Sequence, residues 1–96
     1  MYVIFEKILA HNPNFQEAQF NLGVLHLKTA DYTRALPHLQ KAADLAPRDA
    51  EAHFALAGAY DALGNTTDAI DHYRRVLELD PNHNSAQLRL QQLNNQ

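Results

Sequence analysis

Apolar residues in this chain recur at helical spacing, and Pro, Gly and Asn break the pattern at regular intervals. Tyr2, Phe5, Ile8 and Leu9 predict a helix over 2–11, with Glu6 and Lys7 on its other side. Asn12-Pro13-Asn14 ends it, because the residue before a proline is pushed out of the helical region. Ala18, Leu22, Val24 and Leu25 predict a second helix running to about Lys28, with Asn14 as its N-cap and Glu17 completing a capping box. Asp31 is the expected cap of a third helix, about 32–45, which carries Ala35, Leu36, Leu39, Ala42, Ala43 and Leu45. Pro37 lies inside it and should remove one hydrogen bond, to Thr33, and bend the helix, at up to about 3 kcal/mol. After the break Ala46-Pro47-Arg48-Asp49, helix 49–62 turns Ala52, Leu56, Ala59 and Tyr60 inward. Gly64-Asn65 signals a turn. Helix 66–79 carries Ala69, Ile70, Tyr73, Val76, Leu77 and Leu79 and stops before Pro81. A last helix, about 84–94, sets Ala86, Leu90 and Leu93 against a side made of Gln87, Gln91, Gln92 and Asn94.

The pattern from Gln16 to His83 is written twice, 34 residues apart. Glu17, Ala18, Phe20 and Leu22 return as Glu51, Ala52, Phe54 and Leu56. Thr33, Ala35, His38, Leu45 and Pro47 return as Thr67, Ala69, His72, Leu79 and Pro81. A fixed period of this size predicts a solenoid, in which each unit buries its apolar face on its neighbours. Small residues recur where two helices must cross closely (Gly23, Ala35, Ala42, Ala57, Ala69), and larger ones such as Tyr60 and Tyr73 fill the space beside them.

Composition narrows the function classes. At 96 residues the chain is at most one small domain. A net charge of −3 argues against nucleic acid as a partner, since a nucleic-acid surface needs a basic stripe. The absence of cysteine excludes disulfides and thiol chemistry without indicating a compartment. No apolar run reaches membrane-spanning length, and Tyr2-Val3-Ile4-Phe5 lacks the build of a secretory signal, so neither a membrane role nor a location is expected from this stretch.

The repeated residues resemble the tetratricopeptide repeat, a unit of 34 residues folded as helix-turn-helix. The first full repeat carries Leu22-Gly23, Ala35, Leu39, Ala42 and Pro47, and the second carries Leu56, Tyr60, Gly64, Ala69, Tyr73 and Pro81. The departures are Gln19 and His53 at the family's early Trp, Ala57 in place of a second Gly23, and His26 at a Tyr position. The resemblance implies an all-α, right-handed solenoid of antiparallel helix pairs with about six helices. In its register residues 1–96 form one domain: 1–15 is the second helix of a repeat whose first helix is missing, 16–49 and 50–83 are full repeats, and 84–96 is a polar capping helix. The expectation is a piece of a longer array.

The resemblance further implies that the first helices of successive repeats line a concave groove for a peptide or protein segment. Its candidate residues are Glu17, Phe20, Asn21, Val24 and Lys28, then Glu51, Phe54, Ala55, Gly58 and Asp61, then Ser85, Leu88, Arg89 and Gln92. Phe20 and Phe54 share a register and are candidate anchors, with packing between helices as the plainer role. Only Asn21 and Arg89 suit a clamp for a C-terminal carboxylate, and Glu17, Glu51 and Asp61 would repel one, so a neutral or basic segment is expected instead.

Of the six histidines, His38 and His72 share a register and should lie about 9–10 Å apart, too far to share one ion. His26 and His53 are expected to pack. Asp61, Asp68 and Asp71 are expected on solvated helix ends and faces. No metal, no cofactor and no catalysis are expected, for the chain holds neither a phosphate-binding glycine loop nor a nucleophile motif. The alternative to a binding scaffold is self-association, in which the N-terminal helix pairs with another copy, including by domain swapping. RNA-reading helical repeats are disfavoured by the acidic balance.

Overall fold

The computed structural model describes residues 2–95. Six helices and no strand occur among them: α1 (Tyr2–His11), α2 (Gln16–Lys28), α3 (Tyr32–Leu45), α4 (Ala50–Ala62), α5 (Thr66–Leu79) and α6 (Asn84–Asn94). Packing follows chain order: α2 lies on α3, α4 on α5, and α3 on α4, while α2 also touches α4, its counterpart in the next repeat. That layering makes an elongated solenoid of 43 × 24 × 18 Å.

Alanine sets how closely the layers approach. One core cluster joins Ala35, Leu39, Ala42 and Ala43 of α3 to Ala52, Leu56 and Ala59 of α4. A second joins Ala57, Ala69, Tyr73, Val76, Ala86 and Leu93 across α4, α5 and α6. At Gly23 a Cβ would sit 2.5 Å from Leu39 Cδ2, so α2 rests bare backbone on that buried leucine.

Helix ends show what the 34-residue period does and does not repeat. The N-caps of α2, α4 and α6 are Phe15, Asp49 and His83, one repeat apart. Asp49 accepts from the N–H groups of Glu51 and Ala52 at 3.1 and 3.4 Å, and His83 Nδ1 accepts from that of Ala86 at 3.2 Å. The cap expected at Asn14 is not formed. The turn around Pro13 uses that residue instead, its N–H held by Asn12 Oδ1 at 3.1 Å, and α2 begins after Phe15 with no side-chain cap. Asp31 does cap α3, accepting from the Arg34 N–H at 3.3 Å. The helix continues through Pro37.

The C-termini of α2 and α4 close alike. Asp31 N–H donates to His26 O at 2.8 Å and Asn65 N–H to Tyr60 O at 2.9 Å, each spanning a residue with positive φ, Ala30 at 58° and Gly64 at 81°. This closure needs a left-handed residue just past the helix, which suits Gly64 and strains Ala30.

In α1 no residue is buried; Val3 and Ile4 are 63% and 62% exposed. Its Tyr2 hydroxyl donates to Leu25 O at 3.1 Å.

Candidate functional site

Helices α2, α4 and α6 place their side chains in rows, because equivalent positions recur every 34 residues. The rows are Glu17–Glu51–Ser85, Phe20–Phe54–Leu88, Asn21–Ala55–Arg89 and Val24–Gly58–Gln92, with Lys28 and Asp61 toward the helix C-termini. Phe20, Asn21, Val24, Phe54, Ala55, Gly58, Asp61 and Arg89 are half-buried, while Glu17, Lys28, Glu51, Ser85, Leu88 and Gln92 are exposed. Phe20 packs on the core of α3 and α4. The Phe54 ring lies 4.5 Å from the His83 ring and 5.8 Å from that of Tyr73. Both phenylalanines therefore support the fold. The large apolar side chain that this face gives to solvent is Leu88, at 58% exposure.

Asp61 corrects an expectation. It is not a solvated carboxylate: Arg89 Nη2 donates to its Oδ1 at 2.8 Å, Arg89 Nε donates to Oδ2, and the Tyr73 hydroxyl donates to Oδ2 at 3.1 Å. Arg89 Nη1 reaches Gln92 Oε1 at 3.2 Å. The group ties α4 to both α5 and α6. The Arg89 bonds hold the Asp61 carboxyl below its ordinary pKa against the opposing effect of burial. Burial and the Asp61 charge push the Tyr73 phenol up to about 12. Arg89 is thereby committed, and Asp61 no longer offers this face a free negative charge. Glu51 likewise accepts from His83 Nε2 at 3.1 Å. Leu27, Leu39 and Ala55 stand one repeat earlier than Asp61, Tyr73 and Arg89, so the signal in the sequence was a set of coordinated departures from the repeat.

At the position of the family's early Trp, polar side chains do a common job. Gln19 Nε2 donates to Pro13 O at 2.8 Å, His53 Nε2 donates to Pro47 O at 2.8 Å, and Gln87 Nε2 donates to Pro81 O. The far end of the first two reaches a histidine of the repeat's second helix. His38 Nδ1 meets Gln19 Oε1 at 2.8 Å, and His72 Nδ1 meets His53 Nδ1 at 3.2 Å. With the Nε2 proton of His53 directed at Pro47 O, its Nδ1 is left as the acceptor for the Nδ1–H of His72. His38 and His72 each also stack on the ring two turns further along the partner helix, His26 at 5.7 Å and Tyr60 at 5.7 Å. Burial, then the neighbouring histidine, lowers the pKa of both; Glu6 opposes this at His38, and Asp68, Asp71 and Asp44 oppose it at His72. The His53–His72 bond was not foreseen: the register pairs His38 with His72, and His53 is expected only to pack. Among the described residues no group of three or more His, Cys, Asp or Glu is arranged to hold a metal ion.

A cavity of about 240 Å³ opens where α1 meets α2, lined by Phe5, Asn21, Val24, Leu25 and Lys28. Three of those residues, Asn21, Val24 and Lys28, belong to the row face. A second cavity, of about 320 Å³, lies off that face against Tyr2, Glu6, His26, Thr29, Asp31 and Arg34. No helix among the described residues is long and apolar enough to cross a membrane.

Comparison with known proteins places this arrangement. The tetratricopeptide repeat profile matches residues 20–84. A protein O-mannosyl-transferase of Caenorhabditis elegans, F38B6.6, is 32% identical over 85 residues, which cover 88% of this chain and 12% of that protein. Among solved structures, MamA (residues 41 to the end) of Desulfovibrio magneticus RS-1 superimposes with a TM-score of 0.91 at 31% identity, covering 97% of this chain and 52% of that one. The first tetratricopeptide domain of Spaghetti (RPAP3), bound to the HSP90 peptide SRMEEVD, superimposes with a TM-score of 0.92 at 22% identity, covering 98% of this chain and 75% of that one. This chain thus spans about an eighth of the first relative and about half of the MamA chain. With its two 34-residue units and their stacked helix pairs, the chain belongs to the tetratricopeptide repeat family.

Proposed function

We propose that the face made by α2, α4 and α6 binds a segment of another protein, without chemistry of its own. The family fold carries a protein–protein interaction role, and the neighbouring RPAP3 domain is an instance of this fold with a peptide on it. The observation that supports the reading here is the apolar row Phe20–Phe54–Leu88. It is backed by the core at two positions and exposed at the third, and beside it Asp61 is already paired with Arg89. A preformed surface of this kind loses little entropy on binding. The row puts apolar groups where a carboxylate clamp needs cations, and Arg89 is occupied, so the segment we assign is neutral or basic and need not end at the site. The mannosyl-transferase name belongs to a relative of which this chain matches 12%, and no transferase activity is proposed for this chain.

The test uses exposed residues, because Phe54 and Asp61 hold the fold. Peptides selected from a random display library against the whole chain are titrated against Leu88→Ser and Glu17→Lys variants whose helicity is unchanged. Weaker binding by both variants supports the reading. Affinities equal to the parent's remove the row face from consideration.

A second reading has its own observation. Val3 and Ile4 of α1 are the most exposed large apolar side chains described, so we also propose that this helix pairs with a second copy. Light scattering that finds a monomer up to millimolar concentration rules it out.

A further inference from the structure

Glycine occurs three times in this chain, and the fold accounts for two of them. Gly23 has Leu39 where its Cβ would be, and Gly64 has a φ of +81°. Gly58 has neither reason. It lies within α4, its φ is not in the left-handed range, and a Cβ built on it meets no atom within 4 Å beyond its chain neighbours and the adjoining backbone of its own helix. After proline, glycine is the least favourable residue in a helix interior. The helix therefore gives up stability at Gly58 for nothing the fold itself uses.

The position explains what the gap adjoins. Gly58 sits in the row Val24–Gly58–Gln92, and one repeat earlier Val24 fills the same place with a branched side chain that packs on the core. Phe54 stands one helical turn before Gly58, and Asp61 stands three residues after it. Asp61 is neutralised by Arg89, and Arg89 continues to Gln92, the next member of the same row. The bare stretch of α4 thus lies between Phe54, one turn before it, and Asp61, whose charge Arg89 closes. A charged group entering it would lose water without gaining a partner, whereas an apolar group loses nothing.

We propose that Gly58 is a specificity notch, in which the bare backbone of α4 seats one large uncharged side chain, aromatic or long aliphatic, of the bound protein segment. The inference rests on the row-face reading and adds which chemistry the segment must bring. Glycine serves here as it does wherever a ligand must approach a main chain closely.

Two substitutions test it, because alanine and valine are both better helix formers than glycine. Gly58→Ala should raise the melting temperature, by about 4–8 °C. Gly58→Val, which copies Val24, should leave the fold intact and fill the notch. The probe is the set of peptides selected from a random display library against the unmodified chain. The expected result is a shared large apolar residue among them and an affinity for Gly58→Val at least about tenfold lower, as a misfit of a few methyl groups produces. Equal affinity for Gly58→Val, with binding still weakened by Leu88→Ser, overturns the notch and leaves the row face standing. Affinity unchanged in both variants, or no enriched peptide, overturns both. A Gly58→Ala chain that melts at a lower temperature shows the glycine to be structural and also overturns the notch.

Discussion

The two full repeats share a backbone plan and solve it with different side chains. In the first, α2 presses Gly23 onto Leu39; in the second, Ala57 shares its core cluster with Tyr73, whose hydroxyl carries on to Asp61. The first links its helices through Gln19 and His38, the second through His53 and His72. The first closes α2 with Ala30 at a φ of 58°, the second closes α4 with Gly64. The first opens without a cap at Phe15, the second with Asp49 accepting two N–H groups. The difference teaches that the period specifies contacts and not residues. Each contact can be met by any pair whose volume and hydrogen bonding fit, so residues change in groups. The second repeat is the better closed at its helix ends, and among the described residues it alone is bound to a further helix by an Asp–Arg ion pair.

Exchanging residues between equivalent positions measures how far each solution belongs to its own repeat. The largest effect is expected at the close approach. Gly23→Ala forces Leu39 out of its buried position and should cost about 1–3 kcal/mol, as overpacking does. Its mirror, Ala57→Gly, should cost only about 1 kcal/mol, through helix propensity. Urea denaturation compares them, and equal losses would mean the two crossings are alike. Next come the helix ends, where the sign itself should invert. Ala30→Gly relieves a left-handed alanine and should stabilise by about 1 kcal/mol, while Gly64→Ala introduces that strain and should destabilise by a similar amount. Melting temperatures moving in the same direction would break the equivalence of the two turns.

The smallest effect is in the pH profile. The folded pKa values of His38 and His72 lie below 6.5, so between those values and 6.5 the unfolded chain binds more protons. Stability is at its plateau above 6.5 and is lost as the pH falls through the folded values. Replacing His53 by Gln gives the second repeat the Gln–His link of the first and removes one cause of the His72 shift. The acid loss should shrink. Tyr73 acts at the other end: its phenol is raised from 10 to about 12, so its contribution is present below pH 10 and lost as the pH rises through that window. Tyr73→Phe should flatten the alkaline limb. Denaturant midpoints across the pH range check both limbs, and an unchanged acid limb in His53→Gln would show that His53 does not bear on His72.

Much of the fold was legible because it is local. Helix spacing, the prolines after each unit and the 34-residue return of Leu22, Ala35 and Pro47 fix where helices lie and how they stack. The caps were legible only in part. Asp31 caps as its type and position predict, but the capping box that spacing predicts at Asn14 does not form, because the turn at Pro13 uses that residue and α2 begins after Phe15.

The row face follows from the register, yet its chemistry does not. Residue types alone put free acids at Asp61 and Glu51, and the structure binds them to Arg89 and His83, 28 and 32 residues away. Likewise the register pairs His38 with His72, but only the fold brings His53 Nδ1 to 3.2 Å from His72 Nδ1. The sequence by itself determined the periodic architecture, because helix propensity, turn residues and apolar spacing act over a few residues and repeat with the chain. Only the tertiary structure decided which polar groups spend their hydrogen bonds on one another, because those partners come from different helices and are chosen by the distances that packing leaves. The same packing decided that Gly23 is filled by its neighbour and Gly58 stands open, a difference that two identical letters in the chain cannot carry.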